Sequence, residues 1–125
     1  MDEEGIGRTI LDSAMKVHSA LGSGLLESAY EACLAHELKK AGLPFERQVI
    51  LPIVYDGERL DTGYRIDLLV AEKVIVEVKA VEKVLPVHGA QLLSYLKLSK
   101  CKLGYLLNFN VVHMKDGIKR IVNRL

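Results

Sequence analysis

Tryptophan is absent from this chain of 125 residues, proline occurs three times, and aromatic side chains make up only 6% of it. Cysteine occurs twice. Cys33 and Cys101 lie far apart and in no C-x-x-C pairing, which excludes a dithiol redox motif and a cysteine-based zinc site. Both read as reduced, mostly buried small apolar residues. No apolar run approaches the roughly 18–20 residues that a membrane span requires. The N-terminal Met1-Asp2-Glu3-Glu4 lacks the basic segment and apolar run of an export signal. Repeats, low-complexity stretches and linkers are also missing, so residues 1–125 are expected to form a single cytoplasmic domain with no membrane partner.

What remains is a chain that is 50% apolar, enough for a core, with a net charge of +1 that is unevenly distributed. From Lys97 onward there are seven Lys or Arg against one acidic residue, Asp116. A basic C-terminal third on an acidic body can turn one positive face to a phosphate backbone, although most such runs are solvated surfaces.

Hydrophobic period assigns the elements. Ile10, Leu11, Ala14, Val17 and Leu21 predict an amphipathic helix over Ile6 to Leu21, ending at Gly22-Ser23-Gly24. His18 on it is expected to be an ordinary helix residue. A second helix is predicted from Leu25 to Lys40, with Glu27 in its first turn, where an acid complements the helix dipole. Strands are predicted over Phe45 to Tyr55 and Arg59 to Val70, joined through Asp56-Gly57, a favoured two-residue turn. A third runs from Val74 to Val81. Pro86 then opens a helix from Val87 to Leu98. Tyr105 to Val112 and Ile118 to Val122 close the chain as a hairpin over Lys115-Asp116-Gly117. Helices flanking a run of strands predict a layered α/β (α+β) domain around a central sheet.

Gly63 to Lys79 is the unusual stretch, because charged residues interrupt what should be the most apolar part of the chain. Ile66, Leu68 and Val70 alternate, as do Val74, Val76 and Val78, with Ala71-Glu72-Lys73 between them. That pairing sets Leu68 against Val76 and Ile66 against Val78. It also sets Asp67 against Glu77 and Arg65 against Lys79. Opposed residues have Cβ atoms about 4.5–5.5 Å apart, and like charges there destabilise a sheet. Two compensations are open. One is a divalent cation held by both carboxylates with Lys79 beside it; the other is an ion quartet in which Arg65 and Lys79 neutralise Asp67 and Glu77. On the following helix, His88, Gln91 and Tyr95 make a polar stripe opposite Leu92, Leu93, Leu96 and Leu98, which ordinarily means a solvent-facing edge.

These pieces together resemble a known family. Gly24 to Tyr30, G-L-L-E-S-A-Y, is similar to the motif of the GxxExxY proteins, members of the PD-(D/E)XK, restriction-endonuclease-like nuclease superfamily. The resemblance continues through Q-V-I-L-P (Gln48 to Pro52), G-Y-R-I-D (Gly63 to Asp67), E-V-K (Glu77 to Lys79), Q-L-L-S-Y (Gln91 to Tyr95) and L-L-N-F-N-V (Leu106 to Val111). An E-x-K spacing alone is weak, and a second copy lies at Glu37 and Lys39 on a predicted helix. The conjunction in order is specific.

The resemblance implies a restriction-endonuclease-like core of α-β-β-β-α-β order, with an extra N-terminal helix and a C-terminal hairpin. It implies a Mg²⁺-dependent nuclease, with Mn²⁺ as the alternative ion, hydrolysing phosphodiester bonds of nucleic acid, DNA in the first instance. Asp67 and Glu77 would be metal ligands and Glu27 a third acidic ligand or water-positioning group. Lys79 would stand beside the attacking water, and Gln91 with Tyr95 would contact or support the substrate. A homodimer would be needed to cut both strands at once. The alternative from another class is a non-catalytic nuclease-fold module that binds nucleic acid or a protein partner.

Overall fold

The computed structural model describes all residues from 1 to 125. Helix α1 (Glu3–Leu21) is followed by α2 (Glu27–Lys40), β1 (Phe45–Ile50), β2 (Ile53–Tyr55), β3 (Glu58–Leu60), β4 (Arg65–Val70) and β5 (Val74–Lys79). Then come α3 (Pro86–Ser99), β6 (Leu103–Asn108), a 3-10 turn (Met114–Gly117) and β7 (Ile118–Val122). The main sheet has the order β1-β4-β5-β6-β7, parallel only between β5 and β6, where α3 makes the crossover. The predicted layered architecture is therefore present, with α1 and α2 on one face and α3 on the other. No helix is long and apolar enough to cross a membrane.

The starts of α1 and α3 have local causes. Asp2 caps α1, its carboxylate accepting the Gly5 N–H at 2.8 Å. Pro86 occupies the first turn of α3, and His88 Nδ1 accepts the Leu85 N–H at 3.0 Å. That hydrogen bond accounts for His88.

Two cores result. Ile6, Ile10, Tyr30, Leu34 and Leu38 meet Leu68, Val70, Val74, Val76 and Leu107 on the α1–α2 side. Leu92, Tyr95 and Leu96 of α3 meet Ile66, Ile75 and Leu106 on the other. Strands β5 and β6 are covered on both faces, which is why their sequences are nearly continuous apolar runs.

Three differences from the periodic reading shape the fold. The two long strands are each split, at Leu51-Pro52 and Asp61 to Tyr64, so that β2 and β3 form a separate two-stranded arm. Asp56 and Gly57, both with positive φ (53° and 77°), make its turn. Strand β6 runs Leu103–Asn108 instead of reaching Val112. Past its end the 3-10 turn packs so closely on β6 that a Cβ at Gly117 would collide with the Asn108 carbonyl oxygen, so only glycine fits.

The third difference bears on function. The β4–β5 ladder has the predicted register, Val70 with Val74 and Leu68 with Val76, but stops there. Ile66 crosses to the α3 side while Leu68 and Val70 stay on the α1–α2 side, so the predicted alternation breaks at Asp67. The neighbouring strand breaks at the same level. Val49 pairs Ile66 and Arg47 pairs Leu68, and Gln48 between them has φ 52°, a left-handed conformation in the middle of a strand.

Candidate functional site

Where the β4 and β5 backbones part, side chains replace the ladder. The Asp67 N–H donates to Glu77 Oε2 at 2.8 Å, and the Val78 N–H donates to Asp67 Oδ2, also at 2.8 Å. Each carboxylate thus holds the opposite strand. Sequence register alone had them stacked face to face; the structure crosses them instead, because backbone N–H groups leaving the ladder need acceptors.

The pair is electrostatically unbalanced. Glu77 is buried at 7% exposure. Burial, and next the charge of Asp67, push its carboxyl up to about 8, against the opposing pull of the Asp67 N–H and Lys79. Arg65 does not relieve it, since its guanidinium bonds the Tyr64 carbonyl at 3.0 Å and Asp61 at 3.5 Å. The four ion pairs of the structure, Lys40–Glu37, Arg47–Glu31, Arg65–Asp61 and Arg120–Glu4, leave Asp67, Glu77 and Lys79 out. The ion quartet is therefore not formed. The second E-x-K copy is accounted for as well: Glu37 pairs with Lys40 on α2.

Glu27 reaches the same end of β5 by another route. Tyr30, fully buried and stacked on Phe109 with ring centroids 4.6 Å apart, donates its hydroxyl proton to the Gly22 carbonyl at 2.6 Å and accepts the Leu25 N–H at 3.1 Å. The tyrosine of G-L-L-E-S-A-Y thereby ties down the loop into α2. This sets Glu27, the first residue of the helix, so that its Oε2 accepts the Ala80 N–H at 3.0 Å, one residue past Lys79. Asp67, Glu77 and Glu27 do not close as a three-ligand cluster.

Three contributors carried no assigned role in the sequence. Glu31, one turn beyond Glu27 and 6% exposed, accepts from Arg47 Nε at 3.0 Å and from Gln48 Nε2 at 2.7 Å. Gln48 Nε2 also reaches Asp67 Oδ1 at 3.2 Å, so its side-chain amide bridges a buried glutamate to the site aspartate. The i, i+4 spacing of Glu27 and Glu31 was a readable signal; the left-handed turn that aims Gln48 was not. Asn108, 3% exposed, accepts the Val81 N–H at 3.1 Å and donates to the Val81 carbonyl at 2.9 Å, fixing the chain just after Lys79.

The α3 stripe divides. Tyr95 is a member of the second core at 5% exposure, not a solvent edge. Burial first, then the charges of Glu77, Tyr64 and Asp67, push its hydroxyl up to about 12. It therefore stays a protonated hydrogen-bond donor. Gln91 is half-buried beside it, while Leu98, expected in the core, is exposed and lines a groove with Gln91 and Tyr95.

A glutamate at the start of a helix, an aspartate and an E-x-K on adjacent strands, and a crossover helix returning beside them have a counterpart among known families. A family model described as the PD-(D/E)XK nuclease superfamily matches residues 4–121. This chain belongs to the PD-(D/E)XK nuclease superfamily. Comparison with curated proteins and with solved structures returned no match. The superfamily's nuclease fold accommodates this chain from the first turn of α1 to β7, so α1 is included in the matched region.

The donor chemistry of the PD-(D/E)XK pair fits a hard divalent cation. Two carboxylates provide oxygen ligands only, one of them is destabilised as an anion where it stands, and no side-chain cation lies within ion-pair distance of either. Mg²⁺ is commonly bound by one or two carboxylates with waters completing the shell, so a third acidic ligand is not required.

Proposed function

We propose that this PD-(D/E)XK protein hydrolyses phosphodiester bonds of nucleic acid with the help of a divalent cation, Mg²⁺ or Mn²⁺, and that DNA is its first substrate to test. The observation that carries the reading is the crossed Asp67–Glu77 pair, buried on the Glu77 side and without a cationic side chain within ion-pair distance. A purely structural pair would gain from the arginine one turn of strand away, and Arg65 is directed elsewhere.

In this reading Asp67 and Glu77 hold the ion. When bound, it offsets charge on the phosphoryl oxygens and lowers the pKa of the attacking water. Lys79, on the same strand and two residues beyond Glu77, places its ammonium beside that water and the developing negative charge. Glu27 holds the backbone immediately after Lys79 in place through the Ala80 N–H and is the candidate for orienting water. Gln48 aims Asp67, and Glu31 with Arg47 holds Gln48. Gln91, which lines the groove beside α3, would contact the substrate, and the buried Tyr95 would support it.

The test is a panel of single-stranded, duplex and branched DNA, with an RNA counterpart, incubated with Mg²⁺ or Mn²⁺. Metal-dependent cleavage by the wild type, abolished in Lys79→Ala and in Asp67→Asn, is the expected result. Binding without cleavage of any substrate would identify a nuclease-fold binding module instead.

A further inference from the structure

We propose that the groove between α3 and the β2–β3 arm holds a single-stranded nucleic-acid end, with bases against the exposed ring of Tyr64 and phosphates led to a basic basin formed by Lys97, Lys100, Lys102 and Arg124. The inference rests on the phosphodiesterase reading above and names its class of substrate.

The groove has a volume of about 480 Å³ and no charged residue on its walls. Tyr64 and Tyr95 form an edge-on pair with ring centroids 5.8 Å apart and an interplanar angle of 62°. Tyr64 remains 40% exposed, and Val87 and Leu98, at the two ends of α3, are exposed apolar side chains on the same wall. Gln91 and Ser94 add donors and acceptors between them. A neutral channel with aromatic faces and a few amide and hydroxyl groups suits the flat faces and polar edges of nucleobases. It offers nothing to phosphates. Only unpaired bases can present their faces to a tyrosine, because paired bases are stacked inside the duplex.

The phosphates have a destination at the far end. Lys97, Lys100, Lys102 and Arg124 converge with Asn123 around a second cavity of about 400 Å³ that has no hydrophobic wall residue. Leu98, which lines the groove, is the neighbour in sequence of Lys97, which lines the basin. From Gln91 to Lys97 the helix rises about 9 Å, which is about three stacked nucleotides at 3.4 Å per nucleotide of a strand. An unpaired end lying along α3 thus spans from the middle of the groove to the basin. This also assigns the basic C-terminal third of the sequence a specific place.

Fluorescence anisotropy with labelled dT20 and a blunt 20-base-pair duplex, in Ca²⁺ to take the same oxygen ligands, tests the proposal. The expected result is dT20 binding at least tenfold tighter than the duplex. Tyr64→Ala should weaken dT20 binding by about tenfold, as loss of a stacking ring does, with Tyr64→Phe restoring it. A Lys100→Ala, Lys102→Ala double variant should lower the slope of log affinity against log salt by about 1.4 for a single strand. Ala90→Glu, at an exposed helical position on the groove wall, should abolish the preference for dT20 without disturbing the fold. Equal affinity for duplex and dT20, or full dT20 binding by Tyr64→Ala and Ala90→Glu, overturns the proposal. So does a wild-type dimer that Ala90→Glu converts to monomer with dT20 binding intact, since the groove would then be a self-interface. Absence of cleavage by a wild type that still prefers dT20 overturns the phosphodiesterase reading and supports the groove; unselective cleavage with no dT20 preference overturns the groove alone.

Discussion

Raising the pH from 6 to 8 should strengthen Mg²⁺ binding by about 50-fold, because the cation must displace a proton from Glu77. The carboxyl of this residue is pushed up to about 8 by burial and then by Asp67. With that value about 1% of it is ionised at pH 6 and about half at pH 8, a difference of about 2 kcal/mol in the free energy of presenting the anion. Titration calorimetry at pH 6, 7 and 8, each in two buffers of different ionisation enthalpy, gives affinity and proton release together. About one proton should be released per ion bound at pH 6 and about half a proton at pH 8. Stability of the metal-free protein should move the other way. Glu77 binds its proton more tightly in the folded state than at its ordinary value of 4.5, so its contribution is fully present at acid pH and is lost as pH rises toward 8. Between pH 6 and 8 the metal-free protein should lose about 2 kcal/mol, measured by urea denaturation, and saturating Mg²⁺ should restore it. Glu77→Gln should remove both dependences. Mg²⁺ affinity that is flat from pH 6 to 8, with no proton released, would refute the reasoning.

The other perturbations probe the supports of the site. Gln48→Ala and Gln48→Gly both take a donor from the buried Glu31 and should each cost about 1–3 kcal/mol in denaturant unfolding. Glycine should nevertheless be the more stable of the two by about 1 kcal/mol, because φ at this position is 52°; the reverse order would contradict the left-handed backbone. Tyr30→Phe removes two buried hydrogen bonds at the entry to α2. It should lower stability by about 1–2 kcal/mol and reduce cleavage by releasing Glu27, effects that thermal denaturation and single-turnover rates separate. Arg65→Ala should leave Mg²⁺ affinity and cleavage near wild type, since Arg65 contacts Asp61 and the Tyr64 carbonyl. A large loss of metal affinity in that variant would restore the ion-quartet explanation.

Much of this molecule was determined by the sequence alone, through short-range rules. Period 3.6 placed α1, α2 and α3, and period 2 placed β4 and β5 in their correct register from Val70–Val74 to Leu68–Val76. The order of a helical glutamate, a strand aspartate, E-x-K and Q-x-x-x-Y carried the superfamily resemblance that the family model matches over residues 4–121. Alternation could not show where a strand stops obeying it. Only the tertiary structure decided that β4 turns over at Asp67, where the break coincides with the left-handed Gln48, which is contributed by β1 and held by Glu31 of α2. Likewise Tyr95 was polar by its spacing and core by its packing, since Tyr64, just before β4, and the sheet below cover it. The residues of the candidate site could be nominated from the sequence because chemistry is local to side chains. Their crossing, their burial and the lack of a close ion pair were not, because each depends on which strands and helices the fold brings beside them.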